Sequence, residues 1–179
     1  PYIKKPKARD AFLQKLYNGT VLVNYLGHGS PSVWAQEEVF TSSDLSLVKT
    51  GLRLPFWVAG TCDWAKYDDV NSSCVPEELM LMENNGAVGI LSCTRKTYAV
   101  FNEILLSDFF DYLFPDSRAG NSLRVGDAVM MAKNVTAGSD INNEKYILFS
   151  DPALRLATPV RKGQIDTINP SVFQAMGRV

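Results

Sequence analysis

Apolar residues along this chain form two kinds of pattern, unbroken runs and runs with helical spacing. The unbroken runs are rich in aliphatic and aromatic residues on both faces, which is typical of buried strands in a parallel sheet, and they span residues 20–26, 55–60 and 87–93. Apolar residues three and four apart predict helices over residues 8–18, about 43–50, from Val75 to Asn84-Asn85-Gly86, about 99–114 and about 121–136. A turn at Ser150-Asp151-Pro152 precedes a further predicted strand at residues 153–156.

The alternation of strands and helices predicts an α/β fold with a mainly parallel sheet and helices on both faces. Residues 1–158 are expected to belong to one domain. Residues 159–179 are expected to form a linker or the start of a following β-rich module. The chain lacks an initial methionine, and we interpret it as a piece of a longer protein. In a sheet of this kind, functional groups gather in the loops beyond the carboxyl ends of the strands.

Two of these strand ends carry side chains that together make a base and a nucleophile. The first run ends in Gly27-His28-Gly29, and the second ends in Gly60-Thr61-Cys62. A thiol needs a nearby imidazole to ionise at neutral pH, and the chain has one histidine. His28 is therefore the candidate base for Cys62. The backbone N–H groups of Gly29 and Cys62 are candidate donors to an oxyanion that develops during attack on a carbonyl.

A structural role is the alternative for each of these side chains. A cysteine at a strand end is often a small buried apolar residue, and a lone histidine is often a capping or core residue. The glycines on both sides of His28 favour a site, because they clear space around the imidazole for a substrate backbone. Cys74 and Cys93 have no such clearance, so we expect them to fill space at a helix start and in the core.

Composition narrows the possible function classes. The 179 residues carry a net charge of −1, which argues against binding to nucleic acid, and no apolar stretch reaches the length of a membrane span. Three dispersed cysteines and one histidine lack the spacing of a metal site, so no cofactor is expected for catalysis. Asp68, Asp69 and Asn71 could hold a structural calcium ion, with a solvated loop as the alternative. Ser32 stands where a dinucleotide-binding motif needs its third glycine, which argues against a nucleotide-binding domain.

An ordered set of motifs over about residues 10–158 resembles the gingipain family of cysteine peptidases, in the caspase-like clan. The motifs are Asn24-Tyr25-x-Gly27-His28-Gly29, Thr61-Cys62, Gly86-Ala87-Val88 through Ser92-x-Thr94-Arg95, Asn102-Glu103 and Phe149 through Leu156. Within that family, Thr61-Cys62-Asp63 with Tyr67-Asp68-Asp69 is most similar to the PorU-type sortases of the type IX secretion system. One departure is that Gly60-Thr61-Cys62 stands where caspases have Gln-Ala-Cys.

The resemblance implies a caspase-like three-layer sandwich, of which this chain would be the C-terminal part, and a cysteine endopeptidase. It implies Cys62 as nucleophile, His28 as base, and the N–H groups of Gly29 and Cys62 as the oxyanion hole. Acidic residues that orient the histidine or set basic specificity in relatives would lie upstream. The substrate pocket would be lined by Thr94, Arg95 and Tyr98. Substrate contact is also a candidate role, with rim packing as the alternative, for Trp34 and Glu38.

Similarity to the sortases implies a specific biological setting. Such an enzyme removes C-terminal sorting domains from exported cargo at the bacterial outer membrane, and it can join the new carboxyl end to an anionic lipopolysaccharide. Its partners would be protein substrates and other components of the secretion system, on the cell surface. The alternative is a catalytically inactive scaffold in a secretion complex, against which the intact histidine and cysteine argue.

Overall fold

A computed structural model of the protein describes residues 4–114, 123–136 and 141–157. In these ranges the chain forms seven strands, β1 (Leu22–Leu26), β2 (Gly29–Ser30), β3 (Val33–Trp34), β4 (Phe40–Thr41), β5 (Phe56–Gly60), β6 (Gly89–Cys93) and β7 (Tyr146–Phe149). The α-helices in the same ranges are α1 (Pro6–Asn18), α2 (Val75–Leu81), α3 (Ala99–Leu113) and α4 (Val125–Thr136). Shorter 3₁₀ helices span Ser42–Leu47 and Asn143–Lys145.

The main sheet has the strand order β1-β5-β6-β7, in which β1, β5 and β6 are parallel and β7 is antiparallel to β6. Strands β1 and β5 end together, because Leu26 pairs with Gly60. The amide of Gly27 donates to the carbonyl of Gly60 at 3.2 Å, which carries the pairing one residue further. His28 and Cys62 both follow two residues after this last pair, so the register brings them to the same edge of the sheet.

Each face of the sheet is covered by its own apolar core. Successive side chains of a strand point to opposite faces, and β5 divides accordingly. Trp57 and Ala59 join a core that includes Leu16 of α1 and Leu79 of α2. On the other face, a second core combines residues of β5 with residues of α3 and α4, including Phe56, Val58, Phe109 and Ala128. The predicted α/β sandwich, with a mainly parallel sheet between two helical layers, is confirmed.

The last strand of the sheet was wrongly placed by the sequence pattern. Residues 153–156 were expected to form it, whereas the strand is Tyr146–Phe149. The physical reason is that backbone groups near residue 153 bind a helix instead of a strand. The N–H groups of Val125 and Gly126 at the start of α4 donate to the carbonyls of Leu154 and Pro152 at 2.8 and 3.0 Å.

Three smaller differences concern the loops and helix ends. Residues 31–40, where no strand or helix was predicted, contain β3, which pairs antiparallel with β2 and β4 in a small second sheet. The helix expected at about 43–50 is the 3₁₀ helix Ser42–Leu47, capped by Asp44, which accepts hydrogen bonds from the N–H and hydroxyl of Thr41. Helix α2 ends at Leu81, before Asn84-Asn85-Gly86. After this helix, Gly86 adopts a φ of 91°, and the amide of Ala87 donates to the carbonyl of Leu79 at 3.2 Å.

Parts of two expectations lie outside the described residues. These are the start of the helix predicted at 121–136 and the proposed linker or module at 159–179. Among the described helices, none is both long and apolar enough to cross a membrane.

Candidate active site

The backbone of His28 is held firmly while its side chain is exposed. Its carbonyl oxygen accepts two hydrogen bonds, one from the hydroxyl of Tyr25 at 2.6 Å and one from the amide of Ala35 at 2.8 Å. The ring of Tyr25 stacks on Trp34, with 4.5 Å between ring centroids. The aromatic core therefore fixes the segment that carries the imidazole.

Cys62 lies at a sharp bend after β5 and is partly exposed. The next residue, Asp63, has a φ of +56°, in the left-handed region that non-glycine residues rarely adopt. The thiol lies beside a cavity of about 300 Å³. The same cavity is lined by His28, together with Leu26, Gly27, Gly60, Thr97, Ala99 and Asn102. The structure therefore brings the predicted base and nucleophile to one cavity.

The other two cysteines are poor nucleophiles in the folded protein. Cys74 and Cys93 are fully buried. Burial raises the pKa of each thiol to about 12, since a low-dielectric environment disfavours the charged form. Cys74 lies at the start of α2, where its amide donates to the carboxylate of Glu77 at 2.8 Å. Cys93 ends β6 inside the second core. Both positions are those expected from the sequence.

Gly29 and Thr61 are in close contact, and they belong to the two segments that carry His28 and Cys62. A methyl group at Gly29 would overlap the Oγ1 of Thr61 and lie 3.0 Å from the carbonyl oxygen of Val33. Thr61 is fully buried, and its hydroxyl has no hydrogen-bond partner among the described residues. The glycine is therefore needed for contact between the segments, and its N–H and that of Cys62 remain the candidate oxyanion donors.

Three residues without a role predicted from the sequence form a hydrogen-bonded series that ends at the thiol. The amide of Thr97 donates to the Sγ of Cys62 at 3.4 Å. Asn102 donates to the hydroxyl of Thr97 at 3.0 Å, and Asn142 donates to the side-chain oxygen of Asn102 at 2.9 Å. A signal for Asn102 exists in the sequence, because it interrupts the buried stripe of α3 formed with Leu105, a polar residue where an apolar one is expected.

The predicted pocket residues after β6 occupy different places. Thr94 is tied to the backbone, with its hydroxyl donating to the carbonyl of Lys145 at 3.1 Å. Tyr98 is 60% exposed, and the Nζ of Lys145 lies 5.6 Å from the centroid of its ring. Arg95 lines a separate cavity of about 590 Å³ with Pro31, Asp63, Lys66 and Lys96. None of the three is among the residues that line the 300 Å³ cavity, although Tyr98 stands in the chain between two lining residues, Thr97 and Ala99.

Trp34 and Glu38 lie in different environments, one buried and one on the surface. Trp34 is 2% exposed and packs among the rings of the first core, 4.7 Å from Trp64 between centroids. The structure therefore favours a packing role for Trp34. Glu38 forms an ion pair with Lys4 at 2.8 Å on the surface.

The two carboxylates that were candidates for binding calcium form ion pairs with cationic side chains. Asp68 pairs with Arg95, whose Nη1 donates to it at 2.9 Å, and this hydrogen bond lowers the pKa of Asp68. Asp69 accepts hydrogen bonds from the amide of Asn71 and from Lys66, both at 3.1 Å, which lower its pKa. In the described ranges, no three acidic, histidine or cysteine side chains cluster so as to hold a metal ion.

Fold and site together indicate a class of protein. An α/β domain that presents a cysteine and a histidine in one cavity, at the carboxyl edge of its sheet, has the functional groups of a thiol hydrolase. The sequence matches the model of "Peptidase family C25" over residues 2–157. The chain therefore belongs to peptidase family C25, the gingipain family. No curated protein matches the sequence at a significant level.

Three solved structures share the fold. One is the complex of Porphyromonas gingivalis RgpB pro- and mature domains, with a TM-score of 0.75 and 20% identity over 90% of this chain. The second is the Arg-specific cysteine proteinase gingipain R (RGPB), with a TM-score of 0.70 and 22% identity over 90% of this chain. The third, described as "Structure of Protease", has a TM-score of 0.67 and 17% identity over 90% of this chain. The match covers 39%, 38% and 41% of those chains, respectively.

Proposed function

We propose that this protein is a cysteine endopeptidase in which Cys62 is the nucleophile and His28 the general base. The observation that carries the proposal is that these two residues line one cavity, where Cys62 is partly exposed and the other two cysteines are buried. Membership of family C25 supports the same assignment. Catalysis by this pair needs no metal or organic cofactor.

The reaction follows from the chemistry of the pair. The thiol proton of Cys62 passes to the imidazole of His28, and the thiolate attacks the carbonyl carbon of the scissile peptide. The N–H groups of Gly29 and Cys62 bind the resulting oxyanion. When the tetrahedral intermediate collapses, the C–N bond breaks and His28 returns its proton to the departing amine. The acyl group remains on Cys62 as a thioester.

The fate of the thioester separates a peptidase from a sortase. Attack by water gives a carboxylic acid, whereas attack by an amine gives a new amide, and both restore the thiol of Cys62. We propose the second outcome, with cargo proteins that carry C-terminal sorting domains as substrates and an anionic lipopolysaccharide as the amine acceptor. The resemblance of Thr61-Cys62-Asp63 and Tyr67-Asp68-Asp69 to PorU-type sortases supports this proposal. The same resemblance supports a place at the bacterial outer membrane beside other type IX secretion components.

The catalytic assignment is tested by variants of the full chain. Cys62→Ser and His28→Ala are expected to abolish cleavage of a protein substrate while leaving the far-ultraviolet circular dichroism unchanged. Cys74→Ser is the matched control, because it removes a buried thiol from the start of α2, and it is expected to keep its activity. A Cys62→Ser variant with wild-type turnover would exclude the assignment. An inactive wild-type protein with an unreactive Cys62 would favour the scaffold alternative.

Transfer is tested by adding an amine. With hydroxylamine or a glycine amide present, a sortase is expected to give the amine adduct of the new carboxyl end at the expense of the free acid. Mass spectrometry of the products measures this partition directly. If the free acid stays the only product as the amine concentration rises, the protein is a hydrolase and not a sortase.

A further inference from the structure

A buried network of two amides ends at the catalytic thiol. Asn142 is fully buried, and Asn102 is 3% exposed. The Nδ2 of Asn142 donates to the Oδ1 of Asn102 at 2.9 Å and to the carbonyl of Tyr98 at 2.7 Å, and its Oδ1 accepts from the amide of Tyr98 at 3.1 Å. The network thus joins the segment before β7 to the start of α3 and to the loop that follows β6.

The network fixes the direction of one hydroxyl group. The Nδ2 of Asn102 donates to the Oγ1 of Thr97 at 3.0 Å, so the hydroxyl oxygen acts as an acceptor there. Its own hydrogen can then point at the Sγ of Cys62, which lies 3.8 Å away. The thiol of Cys93 also faces this hydroxyl, but burial keeps Cys93 neutral by raising its pKa to about 12, so an ionised Cys62 is the stronger acceptor. The amide of Thr97 donates to the same sulfur at 3.4 Å. Thr97 therefore offers a thiolate at Cys62 two hydrogen bonds.

The neutral thiol of Cys62 forms a hydrogen bond with a different group of Thr97. When Cys62 is protonated, its S–H donates to the carbonyl oxygen of Thr97 at 3.7 Å. After the proton has moved to His28, this carbonyl no longer receives a hydrogen bond from the sulfur. The amide and the hydroxyl of Thr97 then donate to the charged sulfur. Hydrogen bonds to a charged group are stronger than those to a neutral one. The arrangement therefore favours the ionised form of the sulfur.

The burial of the two amides has a cost that apolar residues would avoid. Polar groups removed from water destabilise the fold unless their hydrogen bonds are satisfied. Here the hydrogen bonds lead in one direction, from Asn142 through Asn102 to Thr97. A packed apolar pair could fill the same space, but it could not orient the hydroxyl of Thr97.

We propose that Thr97, oriented by Asn102 and Asn142, is a positioning residue that stabilises the thiolate of Cys62. The proposal rests on the proposed function, because it takes Cys62 to be the nucleophile. It concerns the reactivity of the sulfur, so it can be measured without a known protein substrate.

The test is the pH dependence of Cys62 alkylation by iodoacetamide in the full chain, followed by intact-mass spectrometry. Thr97→Val keeps the shape and loses the hydroxyl, and it is expected to move the midpoint of the rate profile upward by about one pH unit, a tenfold loss of thiolate below the midpoint. Thr97→Ser retains the hydroxyl and is expected to keep the wild-type midpoint. Asn102→Leu is expected to shift the midpoint in the same direction as Thr97→Val, because it leaves the hydroxyl unoriented.

Thr50→Val is the matched control. Thr50 is buried, and its hydroxyl donates to the amide oxygen of Asn85 at 3.0 Å, but both residues precede the amino ends of β5 and β6. In Thr50→Val, the pH dependence of Cys62 alkylation is expected to equal that of the wild type. An unchanged midpoint in Thr97→Val, with a reactive wild-type Cys62, would overturn the positioning role and leave the proposed function standing. A wild-type Cys62 that reacts only above the range of an ordinary free thiol would instead overturn the proposed function.

Discussion

Replacing Gly29 by alanine is expected to destabilise the fold by forcing apart the segments that carry His28 and Cys62. A methyl group at this position would overlap the Oγ1 of Thr61 and lie 3.0 Å from the carbonyl oxygen of Val33. The backbone at Gly29 is not in the left-handed region, so the cost comes from contact alone.

The magnitude follows from the packing around the added methyl group. Thr61 is fully buried, and the carbonyl of Val33 belongs to a strand, so neither neighbour moves freely. Inserting a methyl group into a well-packed site costs about 1–3 kcal/mol. Each kcal/mol lowers the melting temperature of a domain of this size by about 2–4 °C. Differential scanning calorimetry of Gly29→Ala is therefore expected to show a fall of several degrees.

A double-mutant cycle identifies the contact that is responsible. Thr61→Ala removes the overlapping hydroxyl, so the double variant with Gly29→Ala is expected to be more stable than the sum of the single changes predicts. Independent sites add within about 0.5 kcal/mol. Additivity within that limit, or a Gly29→Ala variant as stable as the wild type, would refute the close approach of these segments.

Three further predictions follow from burial and charge. Trp34→Ala is expected to lower the free energy of unfolding by about 3–5 kcal/mol in urea titrations, as for a buried aromatic residue; a loss under about 1 kcal/mol would count against its core position. In the native protein at pH 9, peptide mapping after alkylation is expected to find Cys74 and Cys93 unmodified, because burial raises their pKa to about 12; modification before unfolding in guanidinium would contradict this. Arg95 lowers the pKa of Asp68 by a hydrogen bond, so the stabilisation from this pair is present above the unfolded pKa near 3.8 and lost as pH falls through the lower folded pKa. Arg95→Gln is expected to raise the Asp68 pKa in an NMR titration, and an unchanged value would argue against the pair.

The sequence predicts the part of the site that depends on strand ends. Unbroken apolar runs mark the three parallel strands, and His28 and Cys62 stand at equal distances beyond two of them. Because parallel strands present their carboxyl ends at one edge, these two residues could be placed together without a structure. The burial of Cys74 and Cys93 was expected because neither has flanking glycines that clear space around its side chain.

The rest depends on contacts between distant segments, which local patterns do not encode. Asn142 meets Asn102 across 40 residues of chain, and neither position indicates the other. The strand Tyr146–Phe149 was missed because its pairing with β6 makes it a strand, and local sequence does not show that pairing. The apolar segment around Leu154 was predicted instead, but its backbone carbonyls accept hydrogen bonds from the start of α4. Trp34 stands in a segment without a predicted strand or helix, and its burial depends on stacking with Tyr25 and on a tilted ring contact with Trp64.

The central claim is that His28 and Cys62 act as one catalytic pair. The most direct test is the pH dependence of Cys62 alkylation in the wild-type protein and in His28→Ala. We predict that wild-type Cys62 reacts rapidly well below pH ~8.5, where an ordinary free thiol ionises, and that this reactivity is lost in His28→Ala. Equal profiles for the two proteins would show that the imidazole does not activate the thiol and would contradict the account.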